Sequence, residues 1–550
     1  MQTHATAATV DEVSSADTEP RVVLDRENKG RTGLVLFLLV LAGGCAFVIW
    51  SVLHDMVASG MTTLTIIPFL FLLLALLIAL GFEFVNGFHD TANAVATVIY
   101  TNALPAHFAV VWSGLWNFLG VLVSSGAVAF GIISLLPVEL ILNVGSSAGM
   151  AMVFALLIAA IIWNLGTWYL GLPASSSHTL IGSIIGVGLA NQILHGLSGT
   201  SGVDWSQAVK IAYSLLLSPV VGFVAAGLLL ITLKVLVKNP ELYREPKRKK
   251  APPWWIRGLL VLTCTGVSFA HGSNDGQKGM GLIMLILIGI VPTTYALNRA
   301  VSPADMAQFR ALAQVTAASL TNIEGSGAAG TGAVEATGDP REVLTAYVRD
   351  RTLSPATVPA LADITRELAV TVEHTATLAD VPAAAVSNVR NDMYLASETI
   401  RVMLKTGEPK FDAKTHQNLV AFERSLDEAT KFIPLWVKIA VAIALGLGTM
   451  VGWKRIVVTV GEKIGKTHLT YAQGGSAELV AMATILAADQ YGLPVSTTHV
   501  LSSGVAGTMA ANGSGLQMST VRNLALAWVL TLPAAITLSG TIYVLLLQIM

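Results

Sequence analysis

Charged side chains are scarce in this chain. Only 12% of its 550 residues are Asp, Glu, Lys or Arg, while 53% are hydrophobic, and the mean hydropathy is +0.67. A soluble domain usually has about 25% charged residues, because its surface faces water. The composition therefore excludes an ordinary soluble protein and indicates one whose outer surface contacts lipid. The net charge of −1 reflects a near balance of both signs, and no nucleic-acid partner is expected.

Cysteine is rarer still. Cys45 and Cys264 lie in separate apolar runs, so they indicate neither a disulfide framework nor a metal-binding motif. Residues 1–30 are polar and lack the apolar stretch of a secretory signal, and the apolar run from about Gly33 is long enough to be a retained membrane helix. No resident metal and no enzymatic cofactor is expected.

Long apolar runs dominate the rest of the chain. A helix that crosses a membrane needs roughly 20 apolar residues, and most of the runs are long enough. The sequence therefore predicts an all-α polytopic membrane protein with roughly ten to twelve spans. The runs comprise residues 33–53, 62–82, 107–133, 149–172, 208–236, 256–270, 279–292, 433–452 and 520–549.

Basic residues cluster at 21–31, 238–250 and 454–466, and such clusters usually mark the cytoplasmic side of a membrane protein. Two predicted crossings separate the last two clusters, which places the polar region 298–432 outside the cytoplasm. The expected location is the plasma (inner) membrane of a bacterium. The predicted parts are a polar tail (1–30), a first membrane portion (31–297), a soluble helical insertion (298–432) and a second membrane portion (433–550).

The insertion shows the periodicity of soluble helices. Helical spacing occurs at 341–351, 359–376 and 417–432, and a linker rich in Gly and Ala occupies 325–338. A spacer domain without transport chemistry is the favoured interpretation, and a regulatory domain is the alternative.

One motif occurs twice. The sequence G-L-P-A-S-S-S-H at 171–178 returns as G-L-P-V-S-T-T-H at 492–499. Upstream of each copy, a polar stretch lies in an apolar run: N-G-F-H-D-T-A-N at 86–93 and H-G-S-N-D-G-Q-K at 271–278. The second polar stretch lies farther from its motif than the first, by about the length of the insertion. The two halves are therefore one repeated unit, with a domain inserted into the second copy.

The duplicated acids are candidates for cation coupling. Asp90 and Asp275 hold equivalent places, and an ionised carboxylate in a bilayer costs about 2.5 kcal/mol or more, so such acids usually have a function. The glycines and amides beside them are expected to break the helices and free carbonyl groups for a cation. A structural carboxylate, capping a helix or paired with Lys278, is the alternative. The further cation-coupling candidates are His89, Asn274, Lys278, Glu83 and Glu478.

The hydroxyl residues of the repeated motif are candidates for anion binding. Proline and hydroxyl residues suit the first turn of a helix. A half-helix that begins inside the membrane would aim its N–H groups and positive dipole end at one point, where a tetrahedral oxyanion could accept many bonds. Packing of helices by small hydroxyl residues is the alternative. The predicted donors are Ser175, Ser176, Ser177, Ser496, Thr497 and Thr498.

Histidine follows the hydroxyl run in both copies. His178 and His499 could bond the substrate, relay protons or support the hairpins, and the supporting role is favoured.

These motifs resemble those of the PiT family of inorganic phosphate transporters, in particular its low-affinity bacterial branch. The resemblance rests on residues 87–94, 171–178, 268–275 and 492–499 and covers the membrane portion. It implies inverted repeats with broken helices and re-entrant hairpins, and symport of phosphate with a cation. It also implies cation coupling at Asp90 and Asp275. The implied phosphate contacts are the hairpin hydroxyls and Asn93, with Thr91 beside it.

Two positions depart from the motif that the family usually has. His89 and Lys278 occur where the family has Asn. A lysine brings a fixed positive charge to a place where a cation would otherwise lie, and a histidine can bind a proton near neutral pH. These two residues disfavour sodium symport, and the resemblance to the low-affinity bacterial branch implies proton symport instead, with a neutral complex of phosphate and a divalent metal as a further transported form.

Other functions stay open from the sequence alone. Sodium-coupled transport, or transport of another tetrahedral anion such as sulfate, could use the same donors. An intramembrane metal enzyme could use the same Asp and His residues, although no His-Glu-x-x-His spacing occurs. A channel is disfavoured, because broken helices with opposed hairpins are typical of an alternating site. The expected partners are phosphate and membrane lipid, and a homo-oligomer is left open.

Overall fold

The computed structural model describes residues 31–61, 66–195, 203–246, 250–325 and 338–550, without the side chains of 91–93, 195 and 322–325. The tail 1–30 and most of the linker 325–338 therefore lie outside the description. The described residues form twenty α-helices and no β-strand, which confirms the all-α class. The helices are α1 (Arg31–Ala58), α2 (Ile66–Tyr100), α3 (Ala106–Val123), α4 (Ala127–Ile133), α5 (Val138–Leu142), α6 (Ser147–Tyr169), α7 (Ser176–His195), α8 (Trp205–Leu236), α9 (Trp254–Ile290), α10 (Pro292–Tyr295), α11 (Pro303–Gly325), α12 (Pro340–Asp350), α13 (Thr357–Thr371), α14 (Val386–Thr406), α15 (Ala413–Thr430), α16 (Leu435–Thr449), α17 (Lys454–Val458), α18 (Tyr471–Gln490), α19 (Thr497–Asn512) and α20 (Met518–Ile549).

Seven of the described helices are long and apolar enough to cross a membrane: α1, α2, α3, α6, α7, α8 and α20. An eighth candidate is the pair α15 and α16, which meet at a bend of 67°. Helices α9 and α18 carry polar residues along their length, and α16 and α19 have only 15 and 16 residues. The number of ten to twelve spans therefore stays a prediction.

The polar stretches 86–93 and 271–278 do not break their helices. They lie inside α2 and α9, which run without interruption. The expectation of a break at these stretches is wrong, because their glycines permit close helix crossings instead. A Cβ added to Gly87 would lie 2.3 Å from the carbonyl oxygen of Leu445 in α16. A Cβ added to Gly272 would lie 2.1 Å from the carbonyl oxygen of Asn117 in α3.

The helix breaks lie at the repeated motif. Extended residues separate α6 from α7 and α18 from α19, so each motif copy forms a hairpin. Gly171 and Gly492 turn the chain there with φ of +67° and +62°, a region that side chains with a Cβ rarely adopt. The proline and the first hydroxyl residue of each motif copy follow this turn, and the second helix of the hairpin then begins.

The two halves interlock through these hairpins. Helix α7 of the first half packs against α20 of the second, and α19 of the second half packs against α8 of the first. A Cβ at Gly186 would lie 2.1 Å from the carbonyl oxygen of Ile536, and one at Gly507 would lie 2.0 Å from that of Phe223. Equivalent glycines therefore make equivalent crossings, as the internal repeat implies.

The insertion contains α11 to α15. The three helices expected from its periodicity correspond to α12, α13 and α15, whereas α11 and α14 were not singled out. The insertion contacts the membrane portion at the end of α9 that is farther from the loop joining α8 and α9. Arg351 Nη2 lies 2.6 Å from Asp204 Oδ2 at the start of α8, and Asn391 donates to the carbonyl of Leu142 at the end of α5 at 3.0 Å. The membrane side of the insertion stays a prediction.

Candidate functional site

Two capped helix N-termini form the core of the site. The Ser175 hydroxyl accepts a hydrogen bond from the His178 backbone N–H at 3.2 Å, and the Ser496 hydroxyl accepts one from the His499 N–H at 3.1 Å. These are N-caps, and each hydroxyl can still donate its own proton. Helices α7 and α19 thus start in the same way in the two halves.

The two motif copies touch each other. Ser177 Oγ donates to the carbonyl of Val495 in the other hairpin at 2.7 Å. The rings of His178 and His499 lie 4.5 Å apart between centroids, and His499 also stacks on Trp528 at 4.1 Å. Residues more than 300 positions apart in the chain therefore come together, and the supporting role of the histidines stays a prediction.

Ser176 lies between the two duplicated aspartates. Its hydroxyl donates to Asp90 Oδ2 at 2.7 Å and is 3.4 Å from Asp275 Oδ2. Thr498, from the other hairpin, donates to Asp90 Oδ1. All four side chains are buried. Each hairpin therefore brings a hydroxyl to the same carboxylate. Thr497 is also buried, and its hydroxyl has no hydrogen-bond partner within the described part of the chain.

Lys278 supplies a buried positive charge to this cluster. Its Nζ lies 2.7 Å from Asp275 Oδ2 and donates to Ser177 Oγ at 2.6 Å. The side chain has no exposed surface. Two carboxylates and one ammonium group therefore leave the cluster with one net negative charge when all are ionised.

His89 and Asn274 fix neighbouring elements. His89 Nε2 is 3.1 Å from the Thr167 hydroxyl in α6, and its Nδ1 is 3.5 Å from Asp90 Oδ1. Asn274 donates to the carbonyl of Leu493 in the second hairpin at 3.2 Å. Both residues thus connect the helices that carry the aspartates to the hairpins that carry the hydroxyls.

Four other predicted residues are not part of this cluster as described. The side chains of Thr91 and Asn93 lie outside the described residues. Glu83 is buried against α9: an added Cβ at Gly279, next to Lys278, would lie 2.4 Å from Glu83 Oε1. Glu478 is buried elsewhere, where it accepts a bond from the Thr263 hydroxyl.

Sequence reasoning considered His271 only as a possible ligand of an intramembrane metal enzyme and not as a cation-coupling residue. His271 Nε2 is 3.5 Å from Asp275 Oδ2, and its Nδ1 is 2.8 Å from Asn117 Oδ1. Ligand atoms of Asp90, His271 and Asp275 all lie within 4.8 Å of one another, so these three side chains could hold a cation. His271 precedes Asp275 by one helical turn, so the two side chains share a face of α9 when that helix is continuous. The spacing identifies His271 only if a continuous helix is expected there.

Asp489 was also missed. It is buried at the end of α18 and accepts hydrogen bonds from Ser273 Oγ and Gln277 Nε2, both at 2.6 Å. The sequence feature that could have identified Asp489 is an acidic residue at the end of an apolar run, just before the second motif. Trp168 holds the equivalent place before the first motif, and its ring packs 5.2 Å from that of Phe88. The two hairpins therefore differ at this position.

Comparisons with known proteins agree on one family. A family model described as the Phosphate transporter family matches residues 86–539. The chain is 44% identical over 489 residues to the low-affinity inorganic phosphate transporter PitA of Escherichia coli K12, covering 87% of this chain and 97% of that one. It is 42% identical over 506 residues to PitB of the same strain, with coverage of 87% and 97%.

A third relative and one solved structure extend the comparison. A low-affinity inorganic phosphate transporter of Buchnera aphidicola from Acyrthosiphon pisum is 40% identical over 488 residues, with 86% of this chain and 96% of the relative covered. The solved structure of a sodium-dependent phosphate transporter has a TM-score of 0.46 and 20% identity, covering 87% of this chain and 99% of that chain.

Proposed function

Because this chain belongs to the phosphate transporter family, we propose that it imports inorganic phosphate across the plasma membrane by symport with protons. It is a transporter and not an enzyme, which removes the intramembrane metal enzyme from consideration. The observation that carries proton coupling is the buried Lys278 ammonium, which contacts both Asp275 and the hairpin residue Ser177.

Phosphate binding is supported by the donors that converge at Asp90. The hydroxyls of Ser176 and Thr498 donate to this carboxylate. A phosphate entering between the starts of α7 and α19 would take over these hydroxyls and meet the positive ends of both helices. Phosphate carries a proton near neutral pH and can therefore donate a hydrogen bond to a carboxylate. Sulfate carries none, which favours phosphate over sulfate.

Proton coupling follows from the charge of the cluster. One net negative charge in a buried site repels an anion, and a single bound proton removes it. Asp90 suits this proton, because both of its oxygens contact hydroxyls, and a hydroxyl can either donate or accept. Asp275 suits it less, because the Lys278 ammonium only donates and would lose its counter-charge.

Sodium coupling is disfavoured by the same contacts. A sodium ion at Asp275 would compete with the Lys278 ammonium for Oδ2, which lies only 2.7 Å from Nζ. Its charge would also be repelled at that distance in a site that excludes water. The lysine therefore fills the electrostatic role that a sodium ion would otherwise have there.

A metal–phosphate complex is a second transported form, because the phosphate in it offsets the charge of the metal beside Lys278, and ligand atoms of Asp90, His271 and Asp275 lie within 4.8 Å of one another. Carboxylate and imidazole groups together are typical ligands of divalent metals. The metal would travel as cargo with the phosphate. Uptake that rises with added Mg²⁺ and falls after chelation would support this form, and uptake indifferent to both would exclude it.

The decisive experiment measures uptake of radiolabelled phosphate into proteoliposomes that contain the purified protein, with an acidic outside and no sodium. We expect uptake by the wild type that collapses with a protonophore and is not inhibited by excess sulfate. Asp275→Asn should reduce it by about a hundredfold or more, since an unpaired buried Lys278 costs roughly 3–5 kcal/mol.

Asp363→Asn is the matched control, because this aspartate lies in the insertion with 44% of its side chain exposed, and the change should leave uptake unchanged. Uptake that strictly requires sodium and ignores the protonophore would overturn the proposed coupling. Equal transport of sulfate would overturn the proposed substrate.

A further inference from the structure

We infer that Asp489 binds a second proton in each transport cycle, in addition to the proton proposed for Asp90. The inference rests on the proton symport proposed above. Asp489 ends α18 with 8% of its surface exposed, directly before the hairpin that carries Ser496 and Thr498. Its carboxylate is hydrogen-bonded through both oxygens to side chains of α9.

The partners of Asp489 are neutral. The described ion pairs of nearby helices join other groups, such as Asp275 with Lys278, and none involves Asp489 within the described ranges. Without a fixed counter-charge, a buried carboxylate is not tied to its ionised form. Five of the elements packed against α18 carry titratable side chains, and the sixth, α4, has none. These side chains are Glu83, His89, Asp90 and Tyr100 on α2; Lys210, Tyr213 and Lys234 on α8; Glu241 and Tyr243 on the short turn Pro240–Tyr243; Arg257, Cys264, His271, Asp275 and Lys278 on α9; and His499 on α19.

Both protonation forms fit the same arrangement of atoms. The Ser273 hydroxyl donates to ionised Asp489 Oδ2 and can accept from the protonated form, because a hydroxyl does either. The Gln277 amide donates to Oδ1, which remains an acceptor in both forms. Asp489 can therefore gain and lose a proton without moving a heavy atom.

Asp489 is linked to the substrate cluster through α9. Ser273 and Gln277 flank Asn274 and Asp275 on that helix, and Asn274 holds the carbonyl of Leu493 in the same hairpin. A change of charge at Asp489 therefore acts on the hairpin that presents Thr498 to the substrate site.

Of the two hairpins, only the second is preceded by a carboxylate at the position of Asp489. Gln277 also accepts a bond from the backbone N–H of Val128 in α4 at 2.9 Å, and residues of α4 line a cavity with Arg390 of the insertion. The equivalent residue of the first hairpin is Trp168, which cannot bind a proton. The proposed second proton therefore belongs to the second hairpin alone.

The test compares steady-state phosphate accumulation in proteoliposomes at a fixed pH gradient and a clamped membrane potential. Each coupled proton raises the accumulation ratio about tenfold for each pH unit of gradient. We expect Asp489→Asn to lower the ratio about tenfold at a gradient of one unit, while phosphate–phosphate exchange continues. An unchanged ratio in this variant would overturn the inference.

Asp363→Asn is the control, because it removes a carboxylate of the insertion that lies outside the substrate cluster and the contacts of Asp489. It should keep the wild-type ratio, and a tenfold loss here would overturn the assignment of the effect to Asp489. If Asp489→Asn no longer exchanges phosphate, Asp489→Glu decides: recovery of exchange with the full ratio supports the inference, and continued loss overturns it. A wild type without any pH-driven accumulation would instead defeat proton symport itself.

Discussion

At the scale of single residues, Lys278 has the largest influence on the chemistry of the site. It is the only fully buried lysine in the described part of the chain, and it contacts Asp275 and Ser177. An ammonium group is a compact point charge that cannot leave with the substrate. Under the proposed proton coupling, it provides a permanent cation where a sodium-coupled protein would need a mobile one.

Lys278→Asn should make phosphate uptake depend on sodium. The change removes the fixed charge and leaves the Asp275 carboxylate free to hold a cation, so we expect sodium-independent uptake to fall by about a hundredfold. Added sodium should restore part of it, and the measurement is phosphate uptake with and without sodium. Lys210→Asn, at an exposed position of α8, is the control. Full sodium-independent uptake by Lys278→Asn would contradict the assigned role.

At the scale of helices, each helix that carries one of the two aspartates makes a close crossing with a neighbour. Helix α2 meets α16 at Gly87 and Gly448, and α9 meets α3 at Gly272 and Gly120. A Cβ at Gly448 would lie 2.1 Å from the carbonyl oxygen of Phe84, too close for the two helices to keep their positions. Small residues at such crossings let helix backbones approach in membranes. The crossings therefore hold α2 closely against α16 and α9 closely against α3.

Gly87→Ala should destabilise the protein, and Gly81→Ala in the same helix should not. The Cβ at position 87 would meet a backbone oxygen at 2.3 Å, whereas nothing lies within 4 Å of the Cβ at position 81. Overpacking of this kind costs roughly 1–3 kcal/mol. Thermal unfolding in detergent would measure the difference, together with phosphate exchange. Equal melting temperatures for the two variants would contradict the close crossing.

At the scale of the whole molecule, the insertion is anchored to the transport unit by polar contacts. Arg351 pairs with Asp204, and Arg390 donates to the carbonyl of Ile141 at 3.2 Å. Within the insertion, α14 and α15 are joined by a charge cluster in which Arg401 and Lys431 flank Asp427 at 2.7 and 3.0 Å. Ionic contacts of this kind make the stability of the insertion depend on pH.

Acid should weaken the contact between α14 and α15. Burial alone would raise the pKa of Asp427, but Lys431 and Arg401 hold that pKa below its usual range. Its stabilising contribution is therefore present above the ordinary pKa of an aspartate and is lost as pH falls through the lower pKa of the folded form. The effect should be on the order of 1 kcal/mol.

Asp427→Asn removes this carboxylate and so isolates its pH-dependent contribution to stability. Hydrogen exchange of peptides from α14 and α15 should be about fivefold faster in the variant at neutral pH, and the two proteins should converge in strong acid. Comparison at the same pH removes the intrinsic dependence of exchange on pH. A difference that stays constant down to strong acid would contradict the assigned contribution. Asp363→Asn, exposed on α13, should behave like the wild type.

Sequence alone determined the class of the protein, its internal repeat and most of the chemical groups at the site. Apolar runs and the scarcity of charge suffice for an all-α membrane protein, because they depend only on local composition. The repeat identified Asp90, Asp275 and the two hydroxyl runs, because duplicated polar groups stand out in apolar segments.

Only the tertiary structure decided how these groups meet. A glycine in a sequence can end a helix or admit a neighbouring one, and Gly87 and Gly272 admit α16 and α3 because a carbonyl of the facing helix lies where a Cβ would be. Asp489 lies 212 residues from its partner Gln277. Local patterns report which face of a helix is apolar, but they do not report which distant helix covers it. The pairing of buried polar groups is therefore settled by packing.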